Sequence, residues 1–215
     1  MIVSANMRGK IMKQFIFPIL LLVLIFSACT IKYVPVQTDG VTITDDFGVN
    51  RTKAYTFAAA NEYWNREPQE LTNYFTTFYV SIQNRKRDDL QVEMSDFGLI
   101  DQNGNQFDVI TQDYIENLLA PRQIDYLLIN ENEKEPIDTE DFFNEQKQVM
   151  EQWRKAQNNL ITYSFHFGKI LPGAKKSGFI FFPKLESGNA ECELRYNDKS
   201  IKFIRLDEKK KQEKE

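Results

Sequence analysis

The chain has 215 residues, with 27 Lys and Arg against 31 Asp and Glu, a formal net charge of −4. That balance argues against nucleic acid as a partner, because such affinity is dominated by phosphate neutralisation. Two cysteines and one histidine leave too few residues for a disulfide-stapled scaffold or a usual zinc site, and the length fits one domain with a sizeable core.

The chain opens on Arg8, Lys10 and Lys13, followed by an apolar run from Phe15 to Phe26 broken only by Pro18. A run of about a dozen residues is well short of the roughly 20 that span a bilayer as a helix. Residues 1–28 therefore read as a cleaved secretory leader. Removing them takes away basic residues only, so the mature chain is more acidic still. The apolar run closes on small residues directly before a cysteine. Phe26-Ser27-Ala28-Cys29 resembles the lipobox of bacterial lipoproteins, with Phe26 where Leu is usual. The resemblance implies cleavage before Cys29 and lipidation of its thiol. One acyl chain binds a membrane only reversibly; the several palmitate-type chains that the resemblance implies hold a protein there. Thr30 rather than Asp follows Cys29, which favours the outer membrane in a source with two.

Residues 29–50 carry Pro35 and no helical period, and read as a tether or a first edge strand. Tyr74 to Ile82 is rich in aromatic and β-branched residues, which predicts a strand ending at the polar turn Asn84 to Asp89. Leu90 to Met94 and Gly98 to Ile100 read as one further strand broken by a bulge near Ser95 and Asp96. Asp101 to Gln106 contains Asn103-Gly104, a strong hairpin signal, and Phe107 to Ile110 returns as the partner strand. Asp113 to Leu119 predicts a short helix stopped before Pro121. From Asp138 to Leu160 the period becomes helical: Phe142, Val149, Trp153, Ala156 and Leu160 share one face, opposite Gln, Glu, Lys and Arg. Asp138 or Thr139 is the expected N-cap, with Glu140 and Asp141 at the positive end of the helix dipole. Alternation then resumes at Ile161 to Phe167, with Ile161, Tyr163, Phe165 and Phe167 on one side, which predicts a strand. Leu171-Pro172-Gly173 marks a turn. Gly178 to Phe182, Glu191 to Tyr196 and Ile201 to Leu206 complete the strands, and 207–215 is a charged tail with nothing to bury. With Cys29 lipidated, Cys192 has no partner in the chain and reads as a small buried side chain.

Many short strands with regular turns predict a mainly β fold, a sandwich or barrel. The run FYVSIQNR, then MSDFGLIDQNGNQFDV, a long gap and ILPGAKKSGFIFFPKL resembles the small immunoglobulin-like, telokin-like sandwich domains of bacterial surface lipoproteins. The matching positions are Asn84, Leu99, Asp101 to Asn105, Pro172, Gly173 and Phe181-Phe182. The resemblance covers about 72–110 and 163–206. It implies an immunoglobulin-like antiparallel β-sandwich over 51–206 with an inserted amphipathic α-helix within about 113–160, and it carries over no catalytic residue.

Chemistry-bearing residues are sparse. His166 is the one histidine; it lies between Phe165 and Phe167, and no G-x-S-x-G accompanies it, so a surface histidine is the better reading than a general base. Asp101-x-Asn103-x-Asn105 hints at a calcium loop, but Gln106 replaces the required Gly and Gln112 the bidentate acid. Glu131 to Asp141 is an acidic stretch that reads as a solvated loop. Most of the aromatics from Tyr63 to Tyr79 read as sandwich core, but Tyr63 and Trp64 lie in a polar run that leaves a surface position open; with Trp153 they are the candidate contacts for a partner or ligand. The expectation is a non-enzymatic, lipid-anchored envelope protein without cofactor or metal, which contacts the membrane through Cys29 and another envelope protein. The alternative is a carrier for an apolar or glycan ligand.

Overall fold

The computed structural model describes residues 31–69, 71–121 and 139–207. The leader at 1–28, Cys29, Asp138 and residues 208–215 lie outside them. The strands are β1 (Tyr33–Pro35), β2 (Val41–Thr44), β3 (Phe47–Arg51), β4 (Tyr55–Ala60), β5 (Phe75–Asn84), β6 (Leu90–Val92), β7 (Phe97–Asp101), β8 (Gln106–Phe107), β9 (Gly168–Ile170), β10 (Lys175–Pro183), β11 (Glu191–Tyr196) and β12 (Lys199–Arg205). The helices are α1 (Leu71–Tyr74), α2 (Gln112–Leu119) and α3 (Thr139–Tyr163). One antiparallel sheet runs β1-β12-β11-β7-β8 and the other β10-β5-β4-β3-β2, with β6 and β9 forming a separate ribbon.

Period-2 patterning places the two sheets face to face. On β5, Phe78, Val80 and Ile82 are fully buried inward. Phe78 meets Phe203 of β12 edge-on at 5.0 Å, and Phe57 of β4 meets Phe97 of β7 at 6.2 Å. Such ring pairs add about 0.5–1.5 kcal/mol each beyond the area they bury. The pairings β4-β5-β10 and β12-β11-β7-β8 are those of strands A-B-E and G-F-C-C′ of an immunoglobulin-like sandwich. Helix α3 falls between β8 and β10, the chain position at which the immunoglobulin scheme has strand D.

Three sequence expectations change. The sandwich begins at Tyr33 rather than at 51: Tyr33, Val41 and Val49 are buried, so β1 to β3 belong to the sheets and 29–50 is not a simple tether. Pro35 sits on the edge strand β1, where a missing N–H costs no ladder bond. The bulged strand expected from Leu90 to Ile100 is two strands. β6 pairs with β9 and β7 with β11, separated by a 3-10 turn at Met94–Asp96 that Glu93 and Asp96 close reciprocally. The strand expected at Ile161 to Phe167 is instead the last turn of α3 followed by an extended link. Leu160 is fully buried whereas Ile161 and Tyr163 are exposed, so the helical period outlasts the apparent alternation.

Both ends of the domain leave the sandwich together. The Tyr33 N–H donates to Asn61 Oδ1 at 2.9 Å, just beyond β4, and the Leu206 N–H donates to the Lys32 carbonyl at 2.9 Å. This entry end also holds the start of β5. At its other terminus, the far end, the Arg85 N–H donates to the Ala54 carbonyl and the Asn84 N–H to the Ala174 carbonyl, both at 2.9 Å. The ten residues of β5 separate the two ends by about 33 Å.

Candidate functional site

Four places on the domain carry side chains whose chemistry invites a function. The first is an apolar cluster on the outer face of the β10-β5 sheet, where Trp64, Leu71, Phe75, Ile115, Leu160, Phe179 and Phe181 are buried together. Helices α1, α2 and the C-terminal half of α3 each supply a residue to it. Trp64 is 2% exposed, which rules out the surface position its polar run left open: its ring lies 5.3 Å from that of Phe179 and 5.6 Å from that of Phe181. The polar run around it hid this burial, because Arg66 forms the lid, its guanidinium stacked 3.8 Å above the Tyr163 ring and 5.9 Å from that of Trp64. The Trp64 indole N–H and the Tyr63 hydroxyl are buried with no hydrogen-bond partner. Burial pushes the Tyr63 phenol up to about 12. Tyr63 is half-buried, and Trp153 is half-buried on α3. The three proposed contact residues therefore do not form one exposed aromatic patch.

The second place is a cleft of about 210 Å³ at the outer edge of β10, the end strand of its sheet. In the immunoglobulin scheme a strand D would pair with this edge. Here two separate segments bond to it: the Ile110 N–H donates to the Phe181 carbonyl at 2.8 Å and the Phe165 N–H to the Phe179 carbonyl at 2.8 Å. Gly178 lets the second segment approach, since a Cβ there would lie 2.6 Å from the Phe165 nitrogen and the Ser164 carbonyl group. Between the segments lie Val109, Ile110, Phe165 and Phe167, with Gln112, the buried unpaired Ser164 hydroxyl and His166 as polar groups. His166 is exposed, and its carbonyl accepts from Lys176 Nζ at 3.1 Å.

The third is the hairpin at Asp101. Its Oδ1 accepts the N–H groups of Asn103 and Asn105, each at 2.8 Å, and its Oδ2 accepts the Asn105 side-chain amide at 2.8 Å. These bonds, the Asn105 amide first among them, hold the carboxyl below its usual range. The carboxylate thus closes the turn, with Gly104 at φ 84. Among the described residues no group of three or more His, Cys, Asp or Glu is placed to hold a metal ion.

The fourth is the far end, organised by one buried residue. Asn84 is fully buried: its Nδ2 donates to the carbonyls of Asp88 at 2.8 Å and Ile170 at 3.0 Å, and its Oδ1 accepts the Lys86 N–H at 2.9 Å. It knits the turn after β5 to the β9-β10 connection. In sequence only an Asn closing a strong strand before a charged run marks it.

Cys29 and most of the acidic stretch Glu131 to Asp141 lie outside the described residues. No helix among those described is long and apolar enough to cross a membrane. Cys192 is buried on β11, and that burial, with the Glu191 charge nearby, pushes its thiol well above the ordinary range. No protein-family model matches the chain, and neither a curated protein nor a solved structure matches it.

Proposed function

We propose that this protein is a lipid-anchored envelope protein whose immunoglobulin-like sandwich serves as a non-enzymatic interaction or structural module. The observation that carries this reading is where the fold begins. Tyr33 enters β1 only four residues after Cys29, a reach of at most about 14 Å. A lipid on Cys29 would hold the entry end of the domain beside the membrane and present the far end outward. The lipobox resemblance at Phe26 to Cys29 supports the anchor and a bacterial envelope address, the outer membrane where there are two. Resemblance to the telokin-like sandwiches of surface lipoproteins supports the module. The partner is another envelope component.

Affinity purification of the native protein from crosslinked membranes, beside a Cys29→Ala control, tests this. Reproducible envelope partners that vanish in the control are the expected result. A protein that partitions identically with and without Cys29 removes the anchored reading.

The cleft beside β10 favours a second reading, a carrier for a small apolar ligand. Its volume exceeds that of an engineered protein cavity of about 150 Å³ that accepts benzene. Trp64 is the reporter, because its ring contacts Phe179 and Phe181, which also line the cleft. Saturable quenching of Trp64 by envelope lipids or glycans supports the carrier, and flat titrations remove it.

A further inference from the structure

We propose that the far end of the sandwich is a docking surface for an anionic lipid membrane. Its cations would meet phosphate-bearing headgroups, and Leu171 would enter between them. That this end faces away from the anchoring membrane rests on the anchored reading; the chemistry of the contact does not.

Three loops meet at this end through main-chain bonds: those at Lys53-Ala54, Asn84 to Asp89 and Ile170 to Lys175. Five exposed cations project from them, Lys53, Arg85, Lys86, Arg87 and Lys175, and none has an acidic partner among the described residues. Two acids stand in the same loops. Asp89 is already paired with Lys169 at 2.8 Å, and Asp88 is the other. On the adjoining turn Lys199 and Asp198 neutralise each other at 3.0 Å. A chain of net charge −4 therefore gathers unpaired positive charge at one end.

Two further features separate this end from an ordinary solvated charge run. Asn84 holds the loops together from beneath, so little ordering entropy is lost when they bind. Leu171 opens the tight turn whose tip is Pro172-Gly173; it is 59% exposed, the Ala174 N–H donates to its carbonyl at 3.0 Å, and Gly173 lies at φ 75. An exposed apolar side chain on the same end as these cations suits the boundary between headgroups and acyl chains, where each part finds its own environment. A soluble polymer of acidic groups alone would use the cations and gain nothing from the leucine.

The test uses the lipidated protein, purified in detergent and reconstituted into neutral phosphatidylcholine vesicles. Flotation with those vesicles reads the anchor. Labelled acceptor vesicles containing phosphatidylglycerol are then added, beside neutral acceptors and a soluble acidic polymer, polyglutamate. Capture of the anionic vesicles alone, weakening as salt rises, is the expected result. Arg85→Gln with Arg87→Gln should lower that capture about thirtyfold. Leu171→Ser should lower it about tenfold. Circular dichroism melts confirm that both variants fold. No capture, capture indifferent to these substitutions, or capture of polyglutamate in place of vesicles overturns the proposal. A protein that fails to float with neutral vesicles removes the anchor alone; co-flotation of the same protein and its variants with anionic vesicles then decides the far end.

Discussion

Asn84 shows how much a single uncharged side chain can organise. Replacing it with Ala would leave the Ile170 carbonyl without its partner at a buried position, and the Lys86 N–H and Asp88 carbonyl without theirs at part-buried ones. Unsatisfied buried groups cost about 1–3 kcal/mol, so Asn84→Ala should lower the unfolding free energy by about 2 kcal/mol in urea titrations. A change below about 0.5 kcal/mol would mean that the far-end loops hold themselves without it. At this scale the sequence was readable where residue type and position agree. Cys192 alternates within a strand and is buried; Asn103-Gly104 marks a hairpin and forms one. Trp64 misled because its neighbours in sequence are polar while its neighbours in space are Phe179 and Phe181. Nothing local announces that Arg66 will fold back across Tyr163.

Among the described side chains of helix α3, the buried ones lie in its C-terminal half. Ala156 and Leu160 are buried, whereas Met150 is 44% exposed. Leu160→Ala should therefore cost about 2–4 kcal/mol, the usual range for emptying a packed leucine site, while the adjacent Ile161→Ala should change stability by less than about 0.5 kcal/mol. Thermal or urea unfolding of the two variants reads the difference; equal effects would mean that the helix packs on another face. The helix itself was legible from its 3.6 period. Its end was not, because Ile161 to Phe167 satisfies a strand pattern and Gly168 is the first residue there that breaks a helix. Leu160 decides the matter by joining a buried cluster whose other members, Trp64 and Phe179 among them, lie elsewhere in the sequence. The bulged strand failed for a related reason. Leu90 to Ile100 is hydrophobic enough for one long strand, but a 3-10 turn at Met94–Asp96 redirects the chain from the small ribbon to the main sheet.

At the level of the whole molecule, Cys192 offers a clock for global opening. It lies between β7 and β12, opposite Asp101 and Phe203, in the middle of a sheet, and its thiol is held protonated by burial. Only the thiolate alkylates quickly, so native protein should resist iodoacetamide and label at a rate that follows denaturant-induced unfolding. Rapid labelling in buffer would show that β11 opens on its own. The sandwich class was legible here because short alternating strands admit few other solutions. The pairing order was not, since β5 meets β10 across about ninety residues and no local signal records that partnership. The direction of β1 has a mechanical meaning. It runs antiparallel to β12, with Tyr33 opposite Arg205 and Pro35 opposite Phe203, and the preceding chain leaves from the Tyr33 end. Tension between that chain and a load at the far end pulls β1 along its own axis, so its rungs and the Asn61 clasp are loaded together in shear rather than unzipped one by one. A tug at the N-terminus therefore meets the sandwich in its stiffest direction.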